Sequence, residues 1–210
     1  MQGQLFTLDF LEQGITETEQ WRSLDEDAFK DFVGRLQNAY GSFTGLKDPN
    51  EPTTERQLID PILKALGWDH FLPQQSAAKH RTDVPDYLLF ESESALAQAK
   101  GAKEPDRYRF GLAIVEAKRW ERYLDRGREP DLFDDGVPST QMLRYLSRVE
   151  VASDRAIQWG MLTNGRHWRL YYQGARSRSE EFLEIDLAVI GQAPGVEPDL
   201  FSPDPKLYGL

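Results

Sequence analysis

Two stretches decide how this chain reads: "VPDYLLF" at residues 84–90 and "LAIVEAKRW" at residues 112–120. Each joins an apolar run of strand length to a carboxylate, with Asp86 opening the first and Glu116 closing the second. Side chains alternate along a strand, so Glu116 and Lys118 share one face while Ala117 points away. A carboxylate that ends "LAIV" enters a buried strand, where an unpaired charge is costly, so it needs a cation or another partner. Two carboxylates beside an ammonium at one sheet edge form a divalent-metal site next to a group that handles protons or stabilises charge. That arrangement suits hydrolysis of a phosphodiester. Plainer readings stand beside it. Asp86 alone is a turn or strand-start residue satisfied by local amides. Glu116 and Lys118 alone are a structural ion pair, although such pairs cost more to bury than they return.

Bulk properties narrow the class. The 210 residues suffice for one full core with extensions, and a composition 40% hydrophobic and 29% charged is that of a soluble globular protein. With no cysteine there is neither a disulfide framework nor a thiolate metal site. Apolar runs such as residues 111–115 are too short to cross a bilayer, and "MQGQLFTLDFLEQG" carries no early positive charge, so a cytoplasmic protein without membrane partners is expected. A net charge of -10 argues against a protein that coats nucleic acid non-specifically. Basic residues nevertheless cluster twice: Lys118, Arg119, Arg122, Arg126 and Arg128, then Arg166, His167, Arg169, Arg176 and Arg178. Such runs are often solvated faces, balanced here by Glu121, Asp125 and Glu129. The first continues directly from Lys118 and reads as a phosphate contact.

Around the two stretches the pattern alternates helix and strand. Residues 1–22 lack a clear period and read as an arm or short hairpin. Ser23 with Glu26 forms a capping box for a helix carrying Leu24, Ala28, Phe32, Val33, Leu36 and Tyr40. "GSFTGLKDPNEP" is a loop. A second helix starts near Thr53 or Thr54, with Leu58, Ile59, Ile62, Leu63 and Leu66 inward, Gly67 at its end and a kink or break at Pro61. Strands are expected at residues 70–75, 85–91 and 110–118, with an exposed excursion at 92–106 between the last two. Ser139 caps a helix that turns Met142, Leu143, Leu146 and Val149 inward. "IQWGMLTNGRHWRLYYQG" is a hairpin on a type I′ Asn164-Gly165 turn, and "EEFLEIDL" is a last strand. The Pro/Gly-rich residues 191–210 read as a tail or linker. His70, His80 and His167 lack ligand spacing. Trp120, Trp159, Trp168, Tyr171 and Tyr172 read as packing, Asp83 as a loop or capping residue. No phosphate-binding glycine loop and no nucleophile elbow occur.

"TERQLIDPILKALGWD", "PDYLLF", "AIVEAKRW", "QMLRYL" and "WGMLTNGRHWRLYY", in that order, resemble the PD-(D/E)xK nuclease superfamily. Within it they look most like the N-terminal nuclease domain of type I restriction-enzyme R subunits and of fused type II restriction-modification enzymes. The resemblance covers residues 53–187. It implies an α/β (α+β) fold with a restriction-endonuclease-like αβββαβ core: a central mixed sheet flanked by helices, with a helical N-terminal extension. Residues 1–52 would be an arm and helix packed on a nuclease core at 53–190. The resemblance also implies roles. Asp86, Glu116 and the Ala117 carbonyl would ligate Mg²⁺, with Mn²⁺ as a substitute. Lys118 would orient or activate the attacking water, or stabilise the pentacovalent phosphate. Glu55 would add an acidic group from the first core helix, although it also suits the helix dipole in a first turn. Gln141 and Tyr145, four apart on one helix face, would contact the metal shell or the DNA backbone. Arg119 and Arg122 complete the expected nucleic-acid contacts. The implied activity is a Mg²⁺-dependent DNA endonuclease of a restriction-modification or phage-defence system. Its partners would be double-stranded DNA and further helicase, methyltransferase or specificity modules. Two alternatives stay open: a catalytically silent nuclease-fold module for DNA binding or assembly, and a stand-alone repair or junction nuclease.

Overall fold

Alternation along the two opening stretches builds the centre of a sheet. The computed structural model describes residues 3–43, 45–73, 84–120, 122–125 and 136–191. Three short helical pieces come first: α1 (Leu8–Glu12), a 3₁₀ turn and α2 (Glu19–Arg22), the two helices capped by Thr7 and Thr18. They replace the expected arm or hairpin, because each threonine side chain accepts an amide that would otherwise go unbonded. The long α3 (Glu26–Phe43) follows, then α4 (Glu51–Thr54), a π-helical turn at Glu55–Ile59, and α5 (Asp60–Ala65). Next are β1 (Phe71–Pro73), β2 (Tyr87–Leu89), α6 (Glu93–Gly101) and β3 (Ala113–Ala117). The chain closes with α7 (Pro138–Ala152), β4 (Trp159–Thr163), β5 (His167–Tyr172), β6 (Phe182–Asp186) and α8 (Leu187–Gly191).

All six strands form one mixed sheet in sequence order, with β3 and β4 parallel and every other neighbouring pair antiparallel. The parallel pair requires a crossover, which α7 supplies. One face of the sheet presents Tyr87, Leu89, Ala113, Val115, Ala117 and Trp168 to α3, α5 and α8. The other presents Leu88, Phe90, Ile114, Leu162 and Tyr171 to α6 and α7. The protein is therefore a mixed α/β structure with helices on both faces of a six-stranded sheet.

Several local expectations are corrected by specific bonds. Ser23 ends α2, donating its hydroxyl to the Gln20 carbonyl, and Asp25 takes over as the acceptor at the start of α3. Leu24 accordingly stays outside the helix and is exposed. The loop that was to run through Pro52 stops at Asn50, whose side chain accepts the Thr53 amide 2.9 Å away, so Glu51 is already helical. Residues 92–106 are not a bare excursion. Ser92 caps α6, and Ala99 lies in the core. Pro138 occupies the first turn of α7, where its missing N–H costs nothing, so Ser139 falls inside the helix and is not its cap. The helix through Pro61 bends its hydrogen-bond pattern instead of stopping: the π-helical turn just before Pro61 accommodates a ring that would clash with an ordinary ladder. Asp83, His80, Arg126, Arg128 and residues 192–210 lie outside the described residues.

The hairpin turn also departs from type I′, which needs positive φ at both central residues. Gly165 has φ +83°, but Asn164 does not lie in that region. Instead the Asn164 side chain accepts the Arg166 and His167 amides at 3.0 and 2.7 Å and donates to the Arg122 carbonyl at 2.7 Å. A Cβ on Gly165 would come within 2.6 Å of Leu58 Cδ2 and 3.1 Å of the Trp120 ring. Gly165→Ala is therefore expected to destabilise the protein by about 2–4 kcal/mol, from left-handed backbone strain plus overpacking. Urea unfolding checks this, and an unchanged midpoint contradicts it.

Candidate active site

The β2–β3 register explains how the two opening stretches meet. Tyr87 pairs with Val115 and Leu88 with Ile114, and the same register carried one residue further sets Asp86 opposite Glu116. Directly opposed residues share a sheet face with closely spaced Cβ atoms. Asp86 thus reaches the face that Glu116 and Lys118 already share, and its Oδ2 accepts the Ala117 amide at 2.8 Å. Lys118 Nζ donates to Glu116 Oε1 at 2.6 Å, with both side chains buried. The Asp86 carboxyl lies within hydrogen-bonding reach of the Glu116 carboxyl. Glu116 Oε2 is enclosed and has no hydrogen-bond donor.

Neighbouring elements lock this strand end. The Lys118 amide donates to the Thr163 carbonyl at 2.8 Å, and the Trp120 amide donates to Thr54 Oγ1 at 3.1 Å. Thr54 precedes the π-helical turn that carries Glu55, so one hydroxyl fixes the helix against the end of β3. From the opposite face, α7 brings Gln141 and Tyr145. Gln141 Nε2 donates to the Tyr145 hydroxyl at 2.8 Å, and that hydroxyl feels the charges of Glu116 and Lys118. The i,i+4 spacing brings these two polar groups together, as read from the sequence.

Electrostatics follow from enclosure. Burial pushes the Glu116 carboxyl above its usual range, Asp86 adds to the shift and Lys118 opposes it. Burial also raises Asp86, against the pull of Lys118 and the Ala117 amide. Asp86 keeps some accessible surface, yet its carboxyl is surrounded by protein atoms. Glu55 is pushed up to about 7, first by burial and then by Asp86, Glu51 and Asp60. Lys118 is desolvated, but Glu116 and Asp86 outweigh that loss and hold its ammonium charged.

Glu51 is the residue the sequence reading missed. Its charge acts on Asp86, Glu116, Lys118 and Glu55 together. The available signal was Asn50 as an N-cap, which makes Glu51 helical and sets it one turn before Glu55. Of the expected nucleic-acid contacts, Arg119 is exposed at the site's margin. Arg122 is half-buried and also braces the structure, donating to the Gly136 carbonyl at 3.3 Å. The later basic cluster is not uniformly solvated: Arg169 is 5% exposed and bonded to Asp125, Glu184 and Tyr171.

A hard divalent cation is compatible with this donor set. The available ligands are carboxylate oxygens, joined by the Ala117 carbonyl, which in extended backbone faces the same neighbour as the Ala117 amide. Glu116 Oε2, buried without a donor, is the atom such an ion would satisfy. Among the described residues no group of three or more His, Cys, Asp or Glu is arranged to hold a metal. Asp86, Glu116 and the Ala117 carbonyl are the groups that would hold such an ion.

These raised carboxyls set the sign of a pH effect. The folded protein keeps protons that the unfolded chain releases above its ordinary carboxylate range, 3.8 for Asp and 4.5 for Glu. Their stabilising contribution is therefore full below that range and is lost as pH rises through about 7. The Tm contribution of the metal-free site should fall between about pH 5.5 and pH 8. A Mg²⁺ ion held by Asp86 and Glu116 would stabilise the protein more at the higher pH, where the carboxylates are ionised, by about 2.7 kcal/mol at a hundredfold excess over Kd. Thermal scans at both pH values test this, and equal Mg²⁺ shifts contradict it.

The fold and the site together define a mixed α/β protein with an Asp–Glu–Lys constellation, its Glu and Lys buried, at the end of paired strands. Compared with protein-family models, curated proteins and solved structures, the chain matches none. No described helix is long and apolar enough to cross a membrane.

Proposed function

We propose that the protein is a divalent-metal-dependent DNA endonuclease of the PD-(D/E)xK type, serving a restriction-modification or phage-defence system. The observation that carries the reading is Asp86, Glu116 and Lys118 on one sheet face, with Glu116 Oε2 buried and lacking a donor. Sequence patterning and the αβββαβ order, here with α6 inserted between β2 and β3, support a restriction-endonuclease-like core.

Asp86 and Glu116 would hold Mg²⁺, and the Ala117 carbonyl would complete the protein's ligands. The ion, when bound, supplies charge neutralisation at the phosphate and lowers the pKa of water. Lys118 is oriented by Glu116 Oε1 and has further N–H donors for a phosphoryl oxygen, where charge grows during attack. The Tyr145 hydroxyl accepts from Gln141 and lies in the field of Glu116 and Lys118, beside the place where a phosphate oxygen would sit. Glu55, titrating near 7, can exchange a proton with water near neutral pH. The acidic overall charge keeps the protein a weak general DNA binder, so targeting would come from partner modules.

The test is relaxation of supercoiled plasmid with Mg²⁺ or Mn²⁺ by wild type, Asp86→Ala, Glu116→Ala and Lys118→Ala. Cleavage by wild type alone supports the reading. Equal cleavage by all four removes the site assignment. No cleavage by any, together with no Mn²⁺ binding, favours a silent nuclease-fold module.

A further inference from the structure

We propose that Arg144, Arg148 and Arg178 form one surface that holds the phosphate backbone of duplex DNA beside the Asp86–Glu116–Lys118 site. This rests on the nuclease reading and adds to it where the substrate lies. α7 buries Met142, Tyr145, Leu146 and Val149, and the same helical period turns Arg144 and Arg148 outward, one turn apart. Arg178 arrives from the β5–β6 connection: its Nη1 donates to Ser147 Oγ at 2.9 Å, and Ser147 donates in turn to the Leu143 carbonyl at 3.0 Å. Three exposed guanidinium groups from two distant segments therefore meet on one face of a chain whose net charge is -10.

Continuity with the site selects the polyanion. The Arg144 guanidinium lies 5.6 Å from the centre of the Tyr145 ring. Tyr145 is bonded to Gln141 and lies within electrostatic reach of Glu116 and Lys118. The surface thus runs outward from the place where a phosphodiester would be cut. One helical turn separates Arg144 from Arg148 by about 6 Å along the axis, which spans roughly two phosphates of one strand. The planar guanidinium fork also suits phosphate oxygens, which accept two parallel N–H bonds.

The experiment uses the full chain and a fluorescently labelled duplex of about 30 base pairs in EDTA, with anisotropy followed across a salt series. Wild type is compared with Arg144→Gln/Arg148→Gln/Arg178→Gln. The control, Arg22→Gln/Lys30→Gln/Arg35→Gln, removes the same charge from the α2–α3 surface. Circular dichroism confirms that all three fold. The first variant should bind on the order of tenfold more weakly at about 100 mM salt, with a salt slope shallower by about 2–3. The control should keep the wild-type slope. An unchanged slope in the first variant, or an equal loss in the control, overturns the proposal. So does tighter binding of a polyglutamate peptide than of the duplex, which would make the face a site for an acidic protein. Wild type that neither binds nor cuts DNA removes the nuclease reading as well. Wild type that cuts while the triple variant keeps full affinity overturns this surface alone.

Discussion

Lys118→Ala is expected to slow plasmid cleavage by about 10²–10³-fold, the loss associated with removing one preorganised charge stabiliser. Asp86→Ala and Glu116→Ala should abolish it, because on the proposed reading each removes a carboxylate that would hold the ion. Asp86→Asn makes the sharper variant. Its amide oxygen can still accept the Ala117 amide, and the Glu116–Lys118 pair stays intact. What disappears is a second negative charge beside a buried carboxylate. Asp86→Asn should therefore lose cleavage yet gain stability, on the order of 1 kcal/mol. For a chain of this size that is a Tm rise of about 2–4 °C. A purely structural cluster predicts the opposite pattern, with stability lost and cleavage, if any, retained. Cleavage rates and thermal scans on the same preparations separate the two.

Arg169→Ala should be the most destabilising single change outside the apolar core, at about 3–5 kcal/mol. The guanidinium is enclosed on β5, donates to Glu184 Oε2 at 2.8 Å and forks onto both Asp125 oxygens at 2.9 and 3.0 Å. Its carbon lies 4.0 Å from the centre of the Phe182 ring. Truncation leaves Glu184 nearly enclosed without its cation, which costs more than the pair itself contributes. Asp125 is largely exposed, so Asp125→Ala should cost no more than about 1 kcal/mol. Arg169→Met/Glu184→Met removes both buried charges and should recover most of the loss. Urea midpoints for the three variants decide the matter. Equal losses for Asp125→Ala and Arg169→Ala would show that the exposed carboxylate, not Glu184, dominates.

This network also bears on the site. Asp125 closes a short segment that begins just past Lys118, and that segment is tied at several points. Asn164 holds the Arg122 carbonyl, Ser139 at the start of α7 donates to the Leu124 carbonyl, and Arg169 holds Asp125. The helix bearing Gln141 and Tyr145 is thereby connected to the strand bearing Glu116 and Lys118. Thr54 performs the same service on the other face, linking the Glu55 turn to Trp120.

Local rules carried by the sequence determined much of this. Period-two alternation put Glu116 and Lys118 on one face, and i,i+4 spacing joined Gln141 to Tyr145. The six strands and the helix between β3 and β4 were legible from apolar periodicity, because burial repeats with the geometry of each element. Capping was less legible. Ser23 and Ser139 both had suitable chemistry, but Asp25 stands next to the first helical residue of α3 and accepts there, while α7 already begins at Pro138, so Ser139 falls inside it without a cap role. Tertiary structure alone decided what depends on pairing between distant segments. The β2–β3 register set Asp86 opposite Glu116. The packing of α4 and the π-helical turn brought Glu51 into the field of the site. The fold also buried Arg169, which a charge run in sequence could not distinguish from a solvated arginine. A sequence states which side chains share a face of one element; only the pairing of elements states which charges lose water together, and that loss sets their energies and their chemistry.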